Sequence, residues 1–443
     1  MSFRFAHGLL LAFGSLLLSC DPPIPAQGSL PDMTVFSTRR LDPSLSWWGD
    51  NRKRLDDFMV QSGAGSVGYD ATKKPVALFD WDNTVIKNDI GDLMLFWMLK
   101  AGKIYQPANF NWRLTSISIT TDALNLLRAA CDGLASPGSP LPTNRSDTAA
   151  IACTDAILSV YLDNKGQTGL SAFAGYDYRR MEPTYAWAVQ LQAGYTPAEI
   201  SLMAKDAIAE GLAAAVGATQ KIGSRTVNAY VRVYDQIKDL IGAMQDNGFD
   251  VWVITATSEP VVRAFADQVK IPTDHVIGVR MVLDGNGKLT YNLQGCGDVP
   301  DGINDGGATA KGNSLMTYID GKRCWVNKVI YGDASPTAIN PRPDGKRQLF
   351  AAGDSNTDVT FVRDAEKLKL VINRNKAELM CNAYGNFGNR YLVNPMFIDP
   401  KPQQTALYPC TTTACVNSNG MATPCLDEGQ GPIADQKDAV YPM

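Results

Sequence analysis

The stretch Pro75 to Thr84 constrains the fold more than any other part of the chain. Its apolar residues Val76 to Phe79 indicate a short buried strand, and Asp80 and Asp82 follow directly. Two carboxylates held together at the end of a buried strand are costly, because ionised groups lose their hydration there. The arrangement is explained if a divalent cation lies between them and one carboxylate attacks phosphorus. The sequence therefore predicts a reactive site at the end of this strand.

Further polar groups follow this motif in a fixed order. Residues 250–257 form a second apolar stretch that ends in hydroxyl residues, Gly321-Lys322 comes next, and residues 349–358 form a third stretch that runs into a glycine and acids. An isolated Asp-x-Asp-x-Thr string is also typical of turns and helix N-termini. In an open α/β sheet, however, ligands bind at the carboxyl ends of the strands, so we expect these groups to converge there. Together they form a complete set for phosphoryl transfer through a carboxylate.

This order of motifs resembles the haloacid dehalogenase superfamily of phosphatases over much of residues 75–375. The resemblance implies an α/β fold, with a Rossmann-like parallel sheet and a helical cap inserted after the first catalytic strand. It also implies Mg²⁺ as the cofactor. A dehalogenase of this superfamily lacks the second aspartate, so Asp82 indicates a phosphatase.

The resemblance also implies a role for each matched residue. The roles are nucleophile for Asp80, general acid and base for Asp82, phosphoryl-oxygen contact for Thr255, charge stabilisation for Lys322, and Mg²⁺ binding or support for Asp80, the carbonyl of Asp82, Asp354 and Asp358. Lys328 is the alternative to Lys322, since both precede apolar stretches. The Gly-Lys pair favours Lys322.

Composition excludes several other functions. The chain has 443 residues and a formal net charge of −4, which gives no basic surface for nucleic acid. Of its two histidines, His7 lies in a segment that we expect to be removed, and His275 alone cannot form an ordinary zinc site or a two-histidine phosphatase site. A Ser-His-Asp triad would need a Gly-x-Ser-x-Gly elbow, which the sequence lacks.

The N-terminus predicts export. Arg4 precedes the apolar run Gly8 to Leu18, which is too short for a membrane span, and Ser19-Cys20 resembles a bacterial lipoprotein box. We therefore expect a signal peptide at 1–19, a tether at 20–35 and membrane contact only through a lipid on Cys20. The alternative is a plain secretory signal that is cleaved near Ala26-Gln27.

Eight cysteines remain after Cys20, an even number that suits disulfides in an oxidising compartment. Proximity favours the pairs Cys131–Cys153 and Cys296–Cys324. We expect the last three cysteines to pair among themselves and with Cys381.

Element patterns suggest a core interrupted by one large insertion. We expect core segments at 36–84 and 226–399, a helical cap at 85–225, and a polar, weakly structured tail at 400–443. Within the core, the predicted elements are helices over 47–61 and 231–246, a hairpin within 276–292 and a last strand at 371–373.

The insertion suggests a substrate with a cationic head group. Residues 176–187 contain three tyrosines, a tryptophan and acids, and aromatic faces beside a carboxylate suit a quaternary ammonium. The alternative is that these aromatics pack the core of the insertion.

The local sequences around Asp80, Tyr185 and Thr255 resemble those of bacterial phosphorylcholine phosphatases. The resemblance implies phosphocholine, or a similar amino-alcohol phosphate, as the substrate, with contacts from Asp89, Glu182, Tyr185, Trp187 and Ala256.

Two other functions stay open at this point. A phosphoserine-type phosphatase would need a cation for the substrate carboxylate, and Arg179 or Arg180 could supply it. A lipoprotein that only binds a small molecule could keep the same fold without activity. A pure binding protein, however, has no need for both Asp80 and Asp82.

Overall fold

The computed structural model describes residues 38–302 and 315–442, and it shows the elements that the sequence assembles around one central sheet. The predicted signal peptide, tether and Cys20 lie outside these residues. The strands are β1 (Val76–Phe79), β2 (Ile86–Lys87), β3 (Thr219–Ile222), β4 (Arg225–Asn228), β5 (Arg232–Val233), β6 (Asp250–Ser258), β7 (Val276–Val279), β8 (Met281–Leu283), β9 (Leu289–Leu293), β10 (Phe350–Gly353), β11 (Leu368–Asn373), β12 (Tyr391–Pro395), β13 (Cys415–Val416) and β14 (Ala422–Thr423). The helices are α1 (Asn51–Ser62), α2 (Ile90–Lys100), α3 (Thr121–Cys131), α4 (Thr148–Leu162), α5 (Pro183–Gln190), α6 (Pro197–Ala213), α7 (Asp235–Asp246), α8 (Glu259–Ala266), α9 (Asp320–Val329), α10 (Val359–Asp364) and α11 (Ala377–Gly385).

The central sheet has six parallel strands in the order β12-β11-β10-β1-β6-β7. Its strands are apolar and buried because a parallel sheet is covered by helices on both faces. Ala77 and Phe79 pack into a cluster that includes residues of α1 and α7, whereas Val76 and Leu78 pack into a second cluster with residues of α9, α10 and α11. The predicted α/β class with a Rossmann-like parallel sheet is confirmed.

The insertion between β1 and α7 leaves and rejoins the core through one pair of short strands. β2 and β5 pair antiparallel, with Ile86 opposite Val233, so the two ends of the insertion meet. Between them lie the helices α2 to α6, and we call this inserted segment the cap. The hairpin of β3 and β4 was not predicted, although Gly223-Ser224 between two short runs with β-branched residues is a hairpin signal.

Several element boundaries differ from the sequence predictions. The first helix begins at Asn51, and α7 begins at Asp235 because residues 232–233 are used in β5. The expected hairpin is formed by β8 and β9, while β7 belongs to the central sheet. The last core strand is β12, which the sequence prediction missed. Among the described residues, no helix has the length and apolar character needed to cross a membrane.

Four disulfides are present. Cys131–Cys153 and Cys296–Cys324 are the pairs that proximity favoured. Cys381–Cys410 attaches the C-terminal tail to α11, and Cys415–Cys425 closes a loop within the tail. The described part of the tail has little regular secondary structure, the two-residue strands β13 and β14, but it is packed against the core. Tyr408 is fully buried, and β13 pairs with β14, because the disulfides and buried side chains hold the polar chain against the core.

Candidate active site

The register of the central sheet brings the polar motifs to one edge. Phe79 lies opposite Val253 in β6 and opposite Ala352 in β10. Asp80, which follows Phe79, donates its backbone N–H to the carbonyl of Ala352 at 2.9 Å. The polar side chains that follow β1 and β10 therefore lie at one edge of the sheet, beside the C-terminal part of β6.

Lys322 lies at the centre of a buried ion cluster. Its Nζ donates to Asp80 Oδ1 at 2.6 Å and to Asp358 Oδ1 at 2.6 Å. Lys322 and Asp358 are fully buried, and Asp80 is 5% exposed. Lys328, the alternative, instead donates to the carbonyl of Gly295 at 3.1 Å. The ammonium that reaches Asp80 therefore belongs to Lys322.

Lys322 differs from Asp80 and Asp354 in the element that carries it, because it does not follow a strand. Residues 321–322 follow no strand and instead lie in the first turn of α9. A Cβ on Gly321 would lie 1.9 Å from the carbonyl oxygen of Met316. A side chain at this position would therefore displace the start of the helix that carries Lys322.

Asp354 and Asp80 are joined by a hydroxyl. Thr84 Oγ1 lies 3.0 Å from Asp80 Oδ2 and 2.9 Å from Asp354 Oδ1. Asp358 Oδ2 accepts the backbone N–H groups of Asp354 and Ser355 at 2.9 and 3.0 Å, which shapes the loop after β10. Both carboxylate oxygens of Asp358 thus accept hydrogen bonds from the protein, which suits a supporting role.

The carboxylates of Asp80, Asp354 and Asp358 fit a hard divalent cation. Each offers an oxygen within 4.8 Å of the others, and all three residues are buried. Burial and the charge of Asp358 raise the pKa of Asp80 well above its usual range, while Lys322 opposes the shift. Carboxylate oxygens are the ligands that Mg²⁺ prefers, and the crowded negative charge is what such an ion would neutralise.

Asp82 is held between the core and the insertion. Its Oδ1 accepts the N–H of Ile90 at 2.8 Å, and its Oδ2 accepts the hydroxyl of Thr257 at 2.8 Å. The hydroxyl of Thr255 is 3.3 Å from the same Oδ2. Burial, followed by the charge of Asp89, raises the pKa of Asp82 well above its usual range.

The two threonines near the C-terminal end of β6 differ in their access to the cleft. Thr255, the predicted phosphoryl contact, is fully buried, whereas Thr257 and the predicted contact Ala256 line the cleft. The sequence analysis did not single out Thr257. Its hydroxyl already donates to Asp82, so Thr257 orients that carboxyl group at the wall of the cleft.

A cleft of about 340 Å³ opens above these groups, between the core and the insertion. Of the predicted substrate contacts, Asp89, Glu182, Tyr185 and Ala256 line it. Asp89 Oδ1 accepts the N–H groups of Gly91 and Asp92 and so caps α2. Tyr185 is 39% exposed, so its ring is accessible to a ligand.

The predicted substrate contact of Trp187 requires correction. Trp187 is fully buried and does not belong to the described lining of the cleft. Its Nε1 donates to Thr115 Oγ1 at 2.8 Å, and its ring packs edge-on against Phe173. Trp187 therefore packs in the core of the insertion, the alternative that the sequence had left open.

Two cations in the cleft were not predicted from the sequence. Arg374 and Lys376 follow β11 and line the cleft, and the Arg374 guanidinium donates to Asp354. The only available signal was the basic string of residues 373–376 directly after a predicted strand.

Arg179 and Arg180, proposed as carboxylate-binding cations, are engaged elsewhere. Arg179 pairs with Asp320 and Glu378, each at 3.0 Å. Arg180 donates to the carbonyl of Pro300 at 2.6 Å. Neither belongs to the described lining of the cleft, so a carboxylate there would meet Arg374 and Lys376 instead.

Comparison with known proteins supports the fold. Residues 168–363 match the sequence profile of haloacid dehalogenase-like hydrolases. The matched range includes Thr255, Lys322 and Asp354. Asp80 lies outside the matched range, and the pairing of β1 with β6 and β10 brings it to the same site. A comparison with curated protein sequences gives no match.

A comparison with solved structures gives a likeness that supports the fold. A conserved protein of unknown function from Anaerococcus prevotii DSM 20548 has a TM-score of 0.57 and 19% identity, over 81% of this chain and 94% of that chain. A protein of unknown function from Bordetella pertussis Tohama I has a TM-score of 0.42, with 13% identity over 73% and 100% of the two chains. A substrate-bound phosphoserine phosphatase has a TM-score of 0.29, with 13% identity over 68% and 86%. Scores as low as the last two carry no argument. Residues 168–363 are thus similar to haloacid dehalogenase-like hydrolases, and the chain carries a Rossmann-like parallel sheet.

Proposed function

We propose that the protein is a Mg²⁺-dependent phosphomonoesterase that works through an aspartyl phosphate. The observation that carries the proposal is the arrangement around Asp80, whose carboxylate contacts Lys322 at the end of β1 and lines the cleft with Asp82. A carboxylate nucleophile beside a second carboxyl group is what this reaction needs.

In the first step, an oxygen of Asp80 forms a bond to phosphorus as the bond from phosphorus to the alcohol oxygen breaks. Asp82 gives its proton to that leaving oxygen. In the second step, Asp82 takes a proton from water, whose oxygen attacks phosphorus and releases inorganic phosphate and Asp80. Before the attack and after the release of phosphate, the buried ammonium of Lys322 stabilises the charge on the Asp80 carboxylate.

The residues that would hold Mg²⁺ are Asp80, the carbonyl of Asp82, and Asp354, with Asp358 in support. When bound, Mg²⁺ would neutralise charge on the phosphoryl oxygens. The carboxylate cluster described above supports this assignment through its donor chemistry and its spacing.

For the substrate, we propose phosphocholine or a similar small amino-alcohol phosphate. Besides the groups at the phosphate, the lining of the cleft contributes the carboxylates Asp89, Asp92 and Glu182 together with the rings of Tyr178 and Tyr185. A quaternary ammonium has no N–H to donate, so it is bound by aromatic faces and by negative charge.

A second candidate is a phosphoserine-type phosphatase. Arg374 and Lys376 supply the cations that a substrate carboxylate would need, and Asp89 or Glu182 could accept an amino group. Carboxylates outnumber cations in the lining of the cleft, and Arg374 is already paired with Asp354. Both observations favour an amino-alcohol phosphate over phosphoserine.

The test is phosphate release from phosphocholine, phosphoethanolamine, phosphoserine and p-nitrophenyl phosphate in Mg²⁺, with Asp80→Asn as the matched inactive control. We expect the highest kcat/KM for phosphocholine and none for the variant. A preference for phosphoserine would establish the second candidate. No release from any substrate would overturn the proposed activity and favour a binding protein.

We also propose that the protein is exported and anchored by a lipid on Cys20. The four disulfides support export, because such bonds persist in oxidising compartments. Expression of Cys20→Ala in a bacterial host should move the protein from the membrane fraction to the soluble fraction. An unchanged distribution would contradict the lipid anchor.

A further inference from the structure

The loop at the end of β11 presents a cation to the cleft in an unusual backbone conformation. Arg374 contacts Asp354, and both Arg374 and Lys376 line the cleft. Asn375, between them, has a φ of 58°, in the left-handed region that non-glycine residues adopt rarely. The position of Arg374 therefore depends on the contacts that hold this loop.

Several of those contacts come from the C-terminal tail, residues 400–442. Asn373 Nδ2 donates to Asp438 Oδ1 at 2.9 Å. The Tyr408 hydroxyl donates to Asn375 Oδ1 at 3.0 Å. The tail thus bonds to the residue on each side of Arg374.

Asp438 is suited to this task because it is a buried acceptor. It is fully buried, and its Oδ1 also accepts the Tyr384 hydroxyl at 2.6 Å, while its Oδ2 accepts the N–H of Gln404 at 2.9 Å. A carboxylate is an acceptor only and satisfies all of these donors. An amide in its place would turn an N–H group toward another donor.

Another part of the tail contacts the cap side of the cleft. The carbonyl of Ser418 accepts the N–H of Tyr178 at 2.8 Å, and the carbonyl of Val416 accepts from Arg179 at 2.9 Å. Tyr178 lines the cleft. Because Cys381–Cys410 ties the tail to α11, one covalently fixed segment contacts both the Arg374 loop and the cap.

We propose that the C-terminal tail is a positioning element of the cleft, and that Asp438 is the positioning residue through which it fixes Arg374 against Asp354. The inference rests on the proposed function, because the position of Arg374 affects turnover only if the cleft is catalytic. The contacts themselves do not depend on that function and can be tested without it.

The first test is hydrogen–deuterium exchange of the peptide that contains residues 373–380. Asp438→Asn should make its exchange at least about tenfold faster, because the loop loses its anchor. Asp435→Asn is the matched control, since Asp435 is exposed and accepts from Thr411 within the tail, at 2.8 and 2.7 Å. Tyr408→Phe, which removes one hydroxyl, provides a second variant if Asp438→Asn does not fold.

The second test is a double-mutant cycle on p-nitrophenyl phosphate. Asp438→Asn should lower kcat/KM by about 10- to 100-fold, since small misplacements of a positioned group have effects of that size. In an Arg374→Ala background, the same change should alter kcat/KM by less than about twofold, because the side chain that Asp438 positions is then absent. Asp435→Asn should match the wild type in both backgrounds.

The outcomes separate the two proposals. A wild-type protein that releases no phosphate would overturn the proposed function, and the exchange experiment would still test the tail. Unchanged exchange in both Asp438→Asn and Tyr408→Phe would overturn the positioning role. Independent, multiplicative effects of Asp438→Asn and Arg374→Ala would overturn the route through Arg374.

Discussion

Lys322 Nζ lies 2.6 Å from Asp80 Oδ1, although the two residues are 242 positions apart in the sequence. The same Nζ is 2.6 Å from Asp358 Oδ1, so one ammonium compensates two carboxylates that are almost fully removed from water. Removing one partner of a buried ion pair leaves an uncompensated charge. The free energy of unfolding then falls by more than the intact pair contributes to it. The candidate site and the stability of the core therefore depend on the same lysine.

Lys322→Met should abolish turnover and lower the free energy of unfolding by about 3–5 kcal/mol, since it leaves buried carboxylates unpaired. Lys328→Met is the matched control. Lys328 lies 4.5 Å from the centroid of the Trp325 ring and away from Asp80, so its loss should change stability by less than about 1 kcal/mol. Denaturant unfolding and phosphate release measure both variants. Equal effects would contradict the assignment of Lys322.

Asp80→Asn should remove both turnover and the trapped phosphoenzyme, because an amide cannot attack phosphorus. Asp82→Asn should instead lower kcat by about 100-fold or more through loss of proton transfer, while Asp80 can still react. Rapid quenching followed by intact-protein mass spectrometry distinguishes the two variants. Wild-type kcat in Asp80→Asn would refute the mechanism.

Removal of divalent cations with EDTA should stop turnover, and Mg²⁺ should restore it, because the candidate ligands are all oxygens. Asp354→Asn should raise the Mg²⁺ concentration needed for half-maximal activity. Isothermal titration with Mg²⁺ checks binding independently of turnover. Full activity of the exhaustively metal-free protein would rule out this cofactor.

Tyr185→Ala should raise KM for phosphocholine several-fold more than KM for p-nitrophenyl phosphate, because a cation–π contact contributes about 0.5–2 kcal/mol. Trp187→Phe, in the same helix but buried away from the cleft, should affect both substrates equally and act through stability. Equal losses for Tyr185→Ala on both substrates would mean that the tyrosine only covers the cleft.

The binding of a cationic head group should depend on pH through Asp89. Burial and the neighbouring Asp92 raise the pKa of Asp89 to about 7, so its carboxyl group gains charge as pH rises through neutrality. KM for phosphocholine should therefore fall as pH rises through about 7 relative to KM for p-nitrophenyl phosphate. Asp89→Asn should flatten that ratio. A ratio that does not vary with pH in the wild type would exclude Asp89 from head-group binding.

The sequence by itself determined the parts of this protein that local chemistry fixes. Short apolar runs followed by acids or hydroxyls predict buried strands with polar ends, and parallel pairing must then bring Asp80, Thr255 and Asp354 to one edge. The α/β class followed from that pattern and is confirmed. Proximity along the chain was also enough for the pairs Cys131–Cys153 and Cys296–Cys324.

Only the tertiary structure decided which side chains reach the cleft. Tyr185 and Trp187 are two positions apart on α5, so helical geometry places them on different faces, but it does not say which face meets the core. The basic string around Arg374 does not reveal its position, which depends on Asp354 and on tail residues 33 and 65 positions away from the residues that they contact. Local sequence encodes strands, helices and turns. The distances between them depend on packing, and packing is a property of the whole chain.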